Sequence, residues 1–78
     1  MVKERKKMSY DFLSYHELVA YYARVKKYID DGFRVDGLRE ELELILRSLV
    51  KKAEEENEPM DKAEYEREIR SYIRLLRN

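Results

Sequence analysis

From Ser14 onward, apolar residues recur at helical spacing. Tyr15, Leu18, Tyr22, Val25 and Ile29 stand 3, 4, 3 and 4 positions apart. Val19, Tyr21 and Tyr28 widen that stripe to about half the circumference of a helix. The preceding Ser14-Tyr15-His16-Glu17 is a capping box, in which the serine hydroxyl and the glutamate carboxylate each take an otherwise unpaired backbone N–H. Gly32 supplies the left-handed residue that closes a helix, and Phe33 sits where a Schellman motif makes its apolar contact. The pattern predicts a first helix over about residues 15–31.

A second stripe runs through Leu38, Leu42, Ile45, Leu46, Leu49 and Ala53, with Val50 at its edge. Asp36 is the expected N-cap, because its short carboxylate can accept from backbone N–H groups in the first turn. The polar run Glu54 to Glu58 and then Pro59 ends the stripe, since proline lacks an N–H and disfavours helix in the residue before it. The expected second helix spans about 37–56. Asp61-Lys62-Ala63-Glu64 is another capping signal. It opens a third helix, about 62–77, with Tyr65, Ile69, Tyr72, Ile73 and Leu76 on its apolar face. Acidic residues crowd its first turns, and Arg70, Arg74 and Arg77 sit at its end, where they complement the helix dipole. No segment alternates with the period of two that a strand requires.

None of these helices can bury its stripe alone. Short connections then predict an all-α, three-helix bundle of up-down-up topology over residues 14–78. Residues 1–13 lack a sustained period and form a basic N-terminal arm through Lys3, Arg5, Lys6 and Lys7. At its end Tyr10, Phe12 and Leu13 are candidates to fold back onto the core.

Composition narrows the picture in a few places. With 78 residues there is room for one small domain, and 44% apolar against 44% charged residues with zero net charge argues against disorder. The chain has no cysteine and one histidine, which leaves no disulfide and no thiolate or imidazole-rich metal site. No metal or cofactor is expected. The N-terminal residues are charged where a secretory signal carries an apolar run, and no stretch approaches a membrane span, so the expected compartment is the cytoplasm. Abundant Glu, Lys and Arg, with no Gln or Thr and only two Asn, match the composition of thermostable proteins.

Catalysis needs a nucleophile, a tuned acid or base, or a metal, and the pattern gathers none of these. His16 falls off the apolar stripe in the first turn of its helix, where it reads as a solvated residue. Glu40, Glu41 and Glu43 spread around a helix, and the Asp-Gly pairs at 31–32 and 36–37 are punctuation at helix ends. Arg39-Glu40-Glu41 is similar to the start of the second helix in helical chorismate mutases. That family's site also uses a late glutamine, and this chain has none. No catalytic residue is expected, and no small-molecule substrate.

What remains are residues that break the amphipathic rule. Leu44 lies well off the stripe of the second helix and Leu75 off that of the third. Tyrosine occupies seven positions, and Tyr21 and Tyr28 are spaced to share one border of the first helix. Tyr21, Tyr28, Leu44 and Leu75 are therefore the candidate contacts for a protein partner or a second copy. Arg67, Arg70, Arg74 and Arg77 recur at 3, 4 and 3 and form a strip on the third helix. With Lys3, Arg5, Lys6 and Lys7 they are the candidates for contacts to nucleic-acid phosphates. The same strip also serves the helix dipole and solubility. The helix lengths, the Asp31-Gly32-Phe33 turn and the Glu-, Tyr- and Arg-rich third helix resemble the MIT domains that bind helical peptide tails. That resemblance implies a groove beside the third helix that receives an amphipathic segment. The expected function is a non-catalytic helical interaction module, with a small nucleic-acid-binding protein as the alternative.

Overall fold

Three helices make up the computed structural model, which describes residues 10 and 12–76: α1 (Tyr15–Asp30), α2 (Leu38–Glu55) and α3 (Lys62–Leu75). The described residues contain no strand. Lys3, Arg5, Lys6, Lys7 and Arg77 lie outside the described residues.

The start of α1 is the expected capping box. Ser14 Oγ accepts from the Glu17 N–H at 3.1 Å, and the Glu17 carboxylate accepts from the Ser14 N–H at 2.9 Å. Its end is a Schellman motif. Gly32 takes φ +98°, its N–H donates to Ile29 O at 2.9 Å, and the Phe33 N–H donates to Tyr28 O at 3.2 Å. The apolar contact of the motif is a ring stack between Tyr28 and Phe33, with centroids 4.9 Å apart.

The start of α2 differs from expectation. Gly37, and not Asp36, is the N-cap, and no side chain caps this end. Gly37 turns the chain into the helix at φ +90°, and its carbonyl accepts the first helical bond, from the Glu41 N–H at 2.9 Å. A left-handed entry of this kind leaves the cap position to the residue without a Cβ. The far end of α2 closes before Pro59 acts. Asn57 adopts φ +59°, and the Glu58 N–H donates back to Ala53 O at 2.9 Å, so a second left-handed turn ends the helix. Asparagine tolerates this conformation better than other residues with a Cβ. At α3, the Asp61 carboxylate accepts from the Glu64 N–H at 3.1 Å, as expected.

The core is built from the predicted stripes, unequally. Tyr15, Leu18, Tyr22, Val25 and Ile29 of α1 are buried against Leu38, Leu42, Ile45, Leu49 and Ala53 of α2. From α3 only Ile69 is buried, while Tyr65, Tyr72, Ile73 and Leu76 pack half-buried around it. Of the residues expected to fold back, Tyr10 is buried and Leu13 half-buried, but Phe12 is 92% exposed. Pairings run in opposite order along α1 and α2: the Tyr15 N–H meets the Glu56 carboxylate, and Tyr21 meets Glu41. Along α1 and α3 they run in the same order, Tyr22 to Glu68 and then Asp30 to Tyr72.

Candidate interaction surface

The surplus of tyrosine resolves first into interhelical fasteners. Tyr10 and Tyr21 both donate their hydroxyls to Glu41 Oε2, the latter at 2.6 Å, and their rings lie 5.4 Å apart. Tyr22 donates to Glu68 Oε1 at 2.7 Å, an oxygen that also receives Lys26 Nζ at 3.3 Å. Lys26 Nζ stands 4.9 Å from the centroid of the Tyr22 ring. Tyr72 donates to Asp30 at 3.0 Å. Burial pushes the phenols of Tyr10 and Tyr22 well above their ordinary range and raises that of Tyr21, and the carboxylate acceptors push in the same direction. Burial first, and then neighbouring Tyr65, raises Tyr15. Burial and Asp30 raise Tyr72. These hydroxyls therefore remain protonated donors that tie helices together.

Sequence reasoning did not find Glu41, Glu68 and Asp30 as the acceptors. Their signal is faint. Glu41 stands at the border of its stripe, one turn from Leu38 and from Ile45, where a carboxylate can reach a neighbouring helix.

Tyr21 is half-buried and already committed to Glu41, but it also walls an open groove. That groove, about 320 Å³, runs between Tyr21, Val25 and Tyr28 of α1 and Val35 and Leu38, with Arg24 and Glu41 at its margins. Tyr28 thus shares a surface with Tyr21, and it is partly exposed, stacked on Phe33. Leu44 is not in this group. It is half-buried against the core and lines a different hollow, about 600 Å³, with Leu46, Val50 and Arg47 of α2 and Lys62 of α3. Leu75 is 54% exposed, one turn beyond Tyr72, whose hydroxyl reaches the last residue of α1.

Sequence reasoning passed over Phe33 and Val35 as surface residues. They are 54% and 53% exposed in the loop between α1 and α2. Among the described residues, Tyr28, Phe33, Val35 and Leu75 are four of the five large exposed hydrophobics, the fifth being Phe12. All four lie at the end of the molecule where α1 ends, α2 begins and α3 ends. The run from Gly32 to Gly37 is too short to show a period, so its apolar residues read as loop.

Arg67, Arg70 and Arg74 are exposed on α3, and Arg70 Nη2 pairs with Glu66 at 3.3 Å. His16 is exposed, with Nε2 3.2 Å from Glu58. Glu40 and Glu43 are exposed, while Glu41 is the carboxylate that meets the tyrosines. Among the described residues, no three His, Asp or Glu side chains gather as a metal-binding set, and no helix is long and apolar enough to cross a membrane. No buried side-chain N or O among the described residues lacks a hydrogen-bond partner. No protein-family model, no curated protein and no solved structure matches this chain, so its own geometry carries the functional reading.

Proposed function

We propose that this chain is a non-catalytic helical interaction module that docks another protein surface on the end formed by Tyr28, Phe33, Val35 and Leu75. One observation carries the reading: these four side chains, out of five large hydrophobics left exposed among the described residues, share one end of the bundle. Scattered exposed leucines need no explanation, whereas gathered aromatic and aliphatic side chains with a polar surround are what protein contacts are made of. The remaining tyrosine chemistry supports it as well, because phenols held as donors to carboxylates fasten helices and activate no nucleophile.

The test replaces Phe33 with a benzophenone amino acid and irradiates cells that express the chain. Covalent adducts are expected from position 33 and not from the same probe at Arg67, on the polar face of α3. Absence of adducts from position 33 at any expression level removes the proposal. Nucleic-acid binding is the second reading, supported by the exposure of Arg67, Arg70 and Arg74 along α3. It requires retention on duplex DNA at low salt that falls as salt is added.

A further inference from the structure

The apolar end carries a projection and a groove side by side. Phe33 and Val35 stand half exposed in the loop. The groove between Tyr21, Tyr28 and Leu38, about 320 Å³, opens next to them and is walled by Val35 itself. A volume of that size is at the low end for a small-molecule site and suits one or two large side chains. The projection is also held in place before anything binds. Gly32 closes the Schellman turn, the Phe33 ring stacks on Tyr28, and Arg34 Nη1 donates to Ile29 O at 3.1 Å and to Phe33 O at 2.9 Å. A prearranged projection loses little freedom on docking.

We infer that the occupant of this surface is a second copy of the chain, joined about a two-fold axis so that the loop of each copy enters the groove of the other. This rests on the reading of that end as a docking surface. A two-fold interface needs one patch that is complementary to itself, which a projection beside its own groove provides. Charge points the same way. Arg24 and Glu41 flank the groove, and Arg34 and Asp36 flank the projection, so the patch carries both signs equally. A strongly acidic or basic partner would meet as many opposed charges as matching ones. A second copy presents the same balanced set, and zero net charge removes long-range repulsion between copies.

The area sets the strength of the association. The exposed parts of Tyr28, Phe33 and Val35 amount to roughly 250 Å² of apolar surface, taking a whole aromatic side chain as about 200 Å². A standard interface buries about 800 Å² on each partner. Somewhat more than half of that, about 450 Å², is apolar. The patch supplies about half of that, so the copies are expected to associate toward the upper end of the concentration range.

Sedimentation velocity from low micromolar to near-millimolar concentration tests the inference on the whole chain. The wild type is expected to move from one chain mass to two as concentration rises. Val35→Arg, which alters an exposed loop residue and no turn bond, is expected to weaken association at least tenfold. Phe33→Glu is expected to weaken it as well, and Arg67→Ser, on the polar face of α3, to leave it unchanged. Circular dichroism on each variant separates lost association from lost folding. A wild type that stays monomeric throughout, or a folded Val35→Arg that dimerises as the wild type does, overturns the second copy as occupant. The crosslinking probe at position 33 separates the two proposals. Adducts to other proteins with a monomeric chain keep the docking surface and discard the dimer, whereas a monomer without adducts discards both.

Discussion

Helix α2 is covered by α1 on one flank and by α3 on another, and the two contacts are built differently. From α1 come five buried side chains, Tyr15, Leu18, Tyr22, Val25 and Ile29, in the order the sequence stripe dictates. From α3 comes one, Ile69, with half-buried neighbours. What α3 lacks in buried area it replaces in part with ties at its border: Glu68 takes Tyr22 and Lys26, and Tyr72 reaches Asp30. A fully buried large aliphatic residue stabilises by about 1.5–3 kcal/mol. A typical hydrogen bond contributes about 1 kcal/mol net. The α1–α2 pair is therefore expected to be the more stable frame, and α3 the element to open first. Local opening follows few buried contacts and partly exposed bonds.

The largest test of this contrast deletes core volume on each side. Ile45→Ala and Ile69→Ala both remove a fully buried side chain, and each is expected to cost about 2–5 kcal/mol in chemical denaturation. The distribution of the loss should differ. Hydrogen exchange on Ile69→Ala is expected to show protection falling first across Lys62–Leu75, whereas Ile45→Ala lowers protection in all three helices. Equal loss everywhere in both variants would erase the distinction.

A smaller effect separates the two ties that reach α3. Tyr22→Phe removes the hydroxyl from a buried ring and is expected to cost about 1–2 kcal/mol, with Lys26 still on Glu68. Tyr72→Phe acts at an exposed bond and is expected to cost less than about 1 kcal/mol. Urea midpoints measure both, and a larger loss at Tyr72 would mean that α3 is anchored at its C-terminal end instead.

The smallest effect is the onset of alkaline weakening. Tyr10, Tyr21 and Tyr22 have raised folded-state pKa values, so at neutral pH both folded and unfolded phenols are protonated and nothing is lost. Above about pH 10 the unfolded phenols ionise while the folded ones keep their protons. The unfolded state then binds fewer protons, and stability falls as pH rises. Near pH 10 the drop is small because only about half of the unfolded phenols have ionised. Tyr22→Phe is expected to make the decline shallower in reversible urea denaturation, and an unchanged slope would remove Tyr22 from the linkage.

Much of this architecture was legible because it depends on residues a few positions apart. The box at Ser14 and Glu17, the turn at Gly32 and Phe33 and the cap at Asp61 are closed by bonds spanning three to five residues. Two punctuation marks were misread for local reasons. Asp36 had the right side chain for a cap, but Gly37 had the freedom to turn the chain one residue later. Pro59 drew attention as a breaker, while Asn57 had already taken the left-handed conformation.

By itself, then, the sequence determined three helices, most of their ends and the stripes that α1 and α2 bury. Periodicity and capping are properties of a single segment, and they can be read without knowing its neighbours. Only the tertiary structure decided that Glu41 receives Tyr10 and Tyr21, and Glu68 Tyr22, across separations of 31, 20 and 46 residues. It likewise decided that Leu44 packs half-buried, that α3 contributes only Ile69 to the fully buried core, and that Tyr28, Phe33, Val35 and Leu75 gather at one end. A hydrophobic stripe tells which side of a helix faces inward. How deeply each helix sinks, and which exposed residues become neighbours, depends on the angle and depth at which the helices meet, and no one segment encodes that.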